Sequence, residues 1–337
     1  MAETQDCRLV FMGTPGFAAV VLDALARWPG GRVVAVYTQP DRPRGRGMKL
    51  VPSPVKTLAQ ELGLEVRQPV NFRAEEDRKA LAELRPDIIV AAAYGLLLPA
   101  AVLDCARIAP LNVHASLLPL YRGAAPIQRC IMENCSPDAV TGVSLMHMEP
   151  SLDTGPVYAT RTLPIGCCHA GELTEALARA GAELLVETLP GIISGTVTPV
   201  PQDHDKATHA AKLCKDDGRI DWSLSAAQVD ALVRGVTPAP GARAQVLVQG
   251  AGEPIGVRIL RGHAAQEPGA ALSAPGTIAR IRDARGEALG VACADGFYIL
   301  DTVRPEGRKD MSGLDFANGY APVRALVPCE PAAGAGS

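Results

Sequence analysis

The sequence predicts an α/β protein, a doubly wound parallel Rossmann-like sheet domain followed by a C-terminal OB-like β-barrel domain. Three observations predict it. Over the first half, short apolar runs alternate with helical patterns, as in a parallel sheet whose crossovers are helices. Beyond about residue 210 short alternating runs follow one another, separated by Gly, Asp and Pro, which suits a small barrel. Between the halves the chain turns rich in Gly, Thr, Pro and Val and then polar. The expected division is a first domain over 6–190, a linker over 191–210, a second domain over 211–328 and an Ala/Gly-rich, disordered tail over 329–337.

Arg8-Leu-Val-Phe-Met12 reads as the first strand, with Gly13-Thr-Pro-Gly16 as a tight turn into a helix that reaches Trp28. The turn has two glycines with a proline between, whereas a dinucleotide fingerprint requires three, so it is expected to be structural only. Val33 to Tyr37 and Asp87 to Ala93 are further strands. The stretch from Gln39 to Lys49 is crowded with Pro, Gly and cations and reads as a long loop, neither strand nor regular helix. Ser53-Pro54 supplies an N-cap with proline at the first helical position, so a helix runs from there towards Gly63. Another helix follows Pro126, and Thr141 to Met148 alternates as a strand. Leu173, Leu177, Ala180 and Leu184 recur at helical spacing and mark the core face of a long helix expected to stop at Pro190. In the second half, Ser223 is expected to open a helix carrying Val229 and Val233 on one face. Strands are expected at 245–248, 255–259, 276–280, 289–293 and 296–300.

Composition narrows the function. The 337 residues are 47% hydrophobic and 20% charged with a formal net charge of −3, so no global positive field advertises a nucleic acid and any such contact rests on a local patch. The nine cysteines are scattered without a C-x-x-C pair, which argues against a disulfide framework and for a reducing compartment. Cys167-Cys168-His169 and the Cys130/Cys135 pair match no zinc spacing, so no metal is expected. The polar, acidic N-terminus and the short apolar run after it do not form a signal peptide or membrane span, and the expected location is the cytoplasm.

Chemistry concentrates in Asn112-Val113-His114 and in Leu152-Asp153-Thr154-Gly155. Residues two apart on a strand share a face, so Asn112 and His114 emerge side by side at a strand end, where open α/β sheets bind ligands. A carboxylate from Asp153 can orient the imidazole through one nitrogen and leave the other to exchange a proton. Amide, imidazole and carboxylate suit acyl transfer through a charged tetrahedral intermediate. None of the three is an obvious nucleophile, which leaves direct attack of one substrate on the other.

The run NVHASLLPLYRGAAPIQ from Asn112 to Gln128, together with Leu152 to Gly155, resembles the folate-dependent formyltransferases, and most closely those acting on initiator methionyl-tRNA. The resemblance extends to Gly13-Thr-Pro-Gly-Phe17, Gln39 to Lys56, Tyr94-Gly95 and Arg219 to Ser225. It implies an enzyme of translation initiation that moves the formyl group of 10-formyltetrahydrofolate onto the free amine of methionyl-tRNA. Asn112, His114 and Asp153 are then the catalytic trio, and Ser116, Leu117, Leu118 and Pro119 help to form the folate site. The cations Arg42, Arg44, Arg46 and Lys49 contact tRNA, and the chain is expected to act as a monomer. The trio also serves resembling enzymes that formylate small amines or hydrolyse the formyl-folate, and a non-catalytic RNA-binding protein on the same scaffold is the reading from another class. Leu120 stands where the family usually carries a basic residue, and Val236-Thr-Pro-Ala-Pro240 lacks the family's usual aromatics.

Overall fold

Leu9, Val10, Phe11 and Met12 are fully buried in the first strand, β1 (Cys7–Gly13), as expected of a strand covered on both faces. The computed structural model describes residues 7–44, 49–136, 138–250, 252–265, 273–283 and 285–328; the tail expected over 329–337 lies outside them. Helix α1 (Gly16–Arg27) buries Phe17, Ala18, Val21, Leu22 and Leu25. A Cβ on Gly13 would lie 2.6 Å from that of Ala18, so a glycine is needed where the helix begins so close to the strand.

The chain continues through β2 (Gly31–Tyr37), β3 (Arg42–Arg44), β4 (Lys49–Val51), α2 (Pro54–Glu61), β5 (Val66–Arg67), α3 (Glu75–Glu83), β6 (Ile88–Ala92) and α4 (Ala100–Leu103). It then forms β7 (Ala109–His114), β8 (Arg122–Gly123), α5 (Pro126–Glu133), β9 (Val140–His147), β10 (Val157–Pro164), α6 (Ala170–Ser194) and β11 (His209–Ala210). The main sheet has the order β10-β9-β7-β6-β1-β2-β5. Strands β7, β6, β1, β2 and β5 are parallel, whereas β9 pairs antiparallel with β7 and β10 with β9. The sheet is therefore mostly parallel, with an antiparallel pair at one edge.

Three local expectations are corrected. The basic stretch is not a structureless loop, because β3 and β4 pair antiparallel with Arg42 opposite Val51 and Arg44 opposite Lys49. A two-strand ribbon has only edge strands, and there Pro43 does no damage. Helix α6 does not stop at Pro190 but runs on to Ser194. Leu189 and Ile192 are buried on either side of the exposed proline, so packing carries the helix past one missing hydrogen bond, and Gly195 at φ +74° ends it. The cap of the next helix is Ser225, whose side chain accepts from the backbone N–H of Gln228 while the Gln228 side chain accepts from the backbone of Ser225. Ser223 instead donates to Asp221 in the preceding turn. The Ser53 cap forms as expected, its hydroxyl accepting from Lys56 N at 3.0 Å.

The chain divides into two compact units. The first comprises residues 1–126, 140–164 and 173–211, and the second residues 127–139, 165–172 and 212–337. In the second unit, α7 (Ala226–Val236), β12 (Ala242–Val248), β13 (Ile255–Ala265), β14 (Ile278–Asp283), β15 (Gly286–Ala292), β16 (Phe297–Pro305), β17 (Met311–Ser312), α8 (Gly313–Tyr320) and β18 (Pro322–Ala325) follow in order. The antiparallel strands run β14-β15-β16-β13-β12-β18. The ends meet through a bridge between Thr277 and Arg324 and the Ala325 N–H donated to Gly276 O at 2.8 Å, so the barrel is nearly closed. Trp222, Tyr298 and Phe316 fill its core together with Val229, Val233 and Val236 of α7.

Candidate active site

Strand β7 carries Asn112 and His114 to the carboxyl edge of the parallel strands, between β6, where Ala91 pairs with Asn112, and β9, where Ser144 pairs with His114. Both side chains turn towards one carboxylate. Asn112 Nδ2 donates to Asp153 Oδ1 at 3.4 Å, and His114 Nδ1 lies 3.7 Å from the same oxygen. The other oxygen, Oδ2, accepts the N–H of Gly123 at 2.9 Å. His114 is buried and Asp153 half-buried.

The imidazole departs in one respect from the expected arrangement. Its Nε2 lies 3.1 Å from the carbonyl of Tyr121, so a proton there is donated to the backbone, while Nδ1 lies beyond hydrogen-bond reach of Asp153. With the proton on Nε2, the basic lone pair is the one on Nδ1, on the side of Asn112 and Asp153. Asn112 has two N–H donors, and with one directed at Asp153 the other remains for a ligand oxygen.

Two residues that frame this arrangement adopt the left-handed region, Asp153 at φ +53° and Tyr121 at φ +56°. For non-glycine residues that conformation costs about 1–3 kcal/mol and persists only where the surroundings over-determine it. The determinants lie in a stretch that reads as linker. Tyr121 N donates to Thr208 Oγ1 at 2.8 Å and Arg122 N to Thr208 O at 2.9 Å, and β11 pairs parallel with β8. Gln202 Nε2 donates to Asp153 O at 2.9 Å and to Gly155 O at 2.6 Å. Nothing in the composition of Pro201-Gln-Asp-His-Asp-Lys206 separates these residues from a solvated connection.

The four residues expected to form the folate site have differing surroundings. The Ser116 hydroxyl is fully buried and donates to Leu120 O at 2.6 Å, and the carbonyl of Ser116 accepts from Ser144 Oγ at 2.7 Å. Leu118 N donates to Ser144 Oγ at 3.0 Å. Leu117, Leu118 and Pro119 are half-buried. The segment thus offers apolar side chains on a rigid backbone, with the Ser116 hydroxyl spent inside it. The neighbouring turns are tied together as well, since Thr14 Oγ1 and Gln39 Nε2 donate to the carbonyl of Tyr94 at 3.1 and 2.9 Å.

Arg42 is exposed and donates to Gln39 Oε1 at 2.7 Å. Arg44 and Lys49 are placed by their backbone at the far rung of the β3–β4 ribbon, and Arg46 lies outside the described residues. Asp41, the carboxylate next to the ribbon, pairs with Lys56 at 2.7 Å and accepts from Gln68 at 2.8 Å. Lys56 and then Gln68 hold its carboxyl below the usual range. Among the described residues no group of three or more His, Cys, Asp or Glu is placed to hold a metal ion, and no helix is long and apolar enough to cross a membrane.

Comparisons with known proteins place the chain as a whole. Residues 7–189 match the family described as formyl transferase, and residues 212–321 match the formyl transferase C-terminal domain. The methionyl-tRNA formyltransferase of Desulfovibrio desulfuricans is 52% identical over 324 residues, covering 95% of this chain and 94% of its own. That of Nitratidesulfovibrio vulgaris is 49% identical over 326 residues, covering 95% of each. Among solved structures, HypX from Aquifex aeolicus in complex with tetrahydrofolic acid aligns with a TM-score of 0.59 at 19% identity, over 94% of this chain and 48% of that one. This chain therefore spans about half of HypX. An N-formyltransferase from Helicobacter canadensis in complex with folinic acid and dTDP-3-aminofucose aligns with a TM-score of 0.61 at 15% identity, over 87% and 98%. These two likenesses concern the fold. With both domain patterns matched in order and relatives half identical along nearly its whole length, this chain belongs to the formyl transferase family.

Proposed function

We propose that this enzyme transfers the formyl group of 10-formyltetrahydrofolate to the free amine of methionine carried by initiator tRNA, giving the N-formylated aminoacyl-tRNA used to begin translation. The observation that carries the reading is the convergence of Asn112 and His114 on Asp153 at the end of β7. Relatives named for this acceptor match 94–95% of their own length, which supports the choice of methionyl-tRNA over a small amine.

The folate brings an electrophilic formyl carbon, and Leu117, Leu118 and Pro119 offer it apolar surface, with Ser116 shaping the backbone beneath. An α-amine titrates at roughly 7.7 to 8.0 and esterification of its carboxyl lowers that further, so near neutral pH only a mild base is needed. As the amine attacks, the carbonyl electrons move to oxygen, where the second N–H of Asn112 meets the developing charge. His114 takes the proton lost by the amine on Nδ1 and returns it to the folate nitrogen as the carbon–nitrogen bond to it breaks. Asp153 holds the Asn112 amide in place and stabilises the imidazole while Nδ1 carries that proton. Arg42, Arg44, Arg46 and Lys49 contact tRNA phosphates, and the barrel unit supplies further RNA contact. The enzyme acts as a monomer in the cytoplasm.

Replacing Asn112 by Ala tests this assignment. Loss of one oxyanion donor lowers turnover by about 10²–10³, so kcat falls by that factor while folate affinity, measured by fluorescence titration, is retained. Lost folate affinity with kcat intact removes Asn112 from the chemistry.

A further inference from the structure

We propose that Gln202 is a positioning residue for the reaction, acting through Asp153; this rests on the formyl-transfer reading of the trio. Its amide is buried and used on both sides. The nitrogen donates to the carbonyls of Asp153 and Gly155 at 2.9 and 2.6 Å, gathering the turn that holds Asp153 in its left-handed conformation. The oxygen accepts from Arg122 Nε and Nη2 at 3.1 and 2.7 Å. Arg122 is itself buried and its Nη2 also meets His204 Nδ1 at 3.1 Å. The residue after Arg122 is Gly123, whose N–H binds the Asp153 carboxylate at 2.9 Å.

Gln202 thus grips Asp153 from two directions. One runs directly to the Asp153 main chain, and the other passes through Arg122 to the strand that anchors the carboxylate. Its own place is fixed by a pair of backbone bonds between Val200 and Val157, each 2.8 Å, and by the pairing of β11 with β8 on the far side. A carboxylamide suits this position because only it offers two donors to two carbonyls and an acceptor to a guanidinium on one planar group. Glutamate keeps the acceptor and loses both donors, which makes it the discriminating substitution.

A misplacement of about 1 Å in a reacting constellation can cost about 10²-fold in rate. Gln202→Glu in the full-length enzyme should therefore lower kcat by up to about 100-fold with KM for formyl-folate and methionyl-tRNA unchanged. Gln202→Met should do the same. A second readout does not depend on turnover. The imidazole NMR signals of His114, assigned by their disappearance in His114→Ala, should shift in both Gln202 variants while the thermal midpoint stays close to that of the wild type. Wild-type kcat in Gln202→Glu overturns the proposal, as does a fall in kcat accompanied by a general collapse of the fold and of both KM values. If the wild-type enzyme itself forms no formylmethionyl-tRNA, the formyl-transfer reading fails and the His114 signals decide alone. Shifted signals then keep Gln202 as the group that positions the Asp153–His114 pair, and unmoved signals remove it.

Discussion

Asp153 is held in a conformation that an L residue adopts reluctantly, and the neighbours that force it there shape the candidate site as much as the trio does. Gly123 is one of them. It sits at φ +122°, and a Cβ there would lie 2.7 Å from the carbonyl oxygen of Ala210. Its N–H is also the firmest hydrogen bond to the Asp153 carboxylate. Gly123→Ala is expected to lower stability by at least about 1 kcal/mol, because the substituted residue can neither adopt the angle nor fit the gap. Chemical denaturation measures this, and an unchanged midpoint would show that the β8–β11 pairing yields. At this scale much of the site is legible in the sequence. Asn112 and His114 are two apart on a strand end, and Asp153 lies in a turn that family resemblance singles out. Gln202 and Thr208 are not legible, since their roles depend on bonds to residues 40 or more positions away and a polar run in a Pro-rich stretch looks the same whether it solvates a linker or braces a carboxylate. The inward direction of the Ser116 hydroxyl is hidden although its acceptor is only four residues on, because nothing in Ser-Leu-Leu-Pro singles out the carbonyl of Leu120.

The elements are most legible where burial writes its own pattern. Strands β1, β2 and β6 and helices α1 and α2 follow from continuous apolar runs, a glycine turn and a Ser-Pro cap. Sequence and structure diverge where a residue type usually ends or prevents an element and packing overrides it. Pro190 lies within α6 because Ile192 beyond it is buried, and Pro43 lies in β3 because both strands of a two-strand ribbon are edges. Ser225 rather than Ser223 caps α7 because only Ser225 has Gln228 three residues on to complete the reciprocal pair. The ribbon also changes how the basic stretch is understood, since Arg42 and Arg44 are held on a ladder and Asp41 beside them is taken by Lys56. Replacing Arg42, Arg44 and Arg46 together by Ala should weaken tRNA binding and flatten its salt dependence by about 1 in logarithmic slope for each phosphate no longer neutralised. Folate affinity should be spared. Filter binding across a salt series gives the slope, and an unchanged slope assigns RNA recognition to other residues.

At the level of the whole molecule, the chain combines a mostly parallel sheet that presents the trio and a nearly closed barrel with a Trp222–Tyr298–Phe316 core. Alternating apolar and helical patterns foretell the first, and regularly spaced short runs foretell the second. The stretch 191–210 is less separate than its composition suggests, because β11 pairs with β8 and residues up to Ala211 group with the first unit. A net charge of −3 on 337 residues leaves RNA recognition to local surfaces. The acceptor is therefore the property of the whole enzyme that most needs a direct test. That test is transfer of radiolabelled formyl from 10-formyltetrahydrofolate, with methionyl initiator tRNA, elongator methionyl-tRNA, uncharged tRNA and glycinamide ribonucleotide as parallel acceptors. Label is expected on methionyl initiator tRNA and not on uncharged tRNA or the ribonucleotide. Label on the small amine alone, or release of formate without any acceptor, would contradict it.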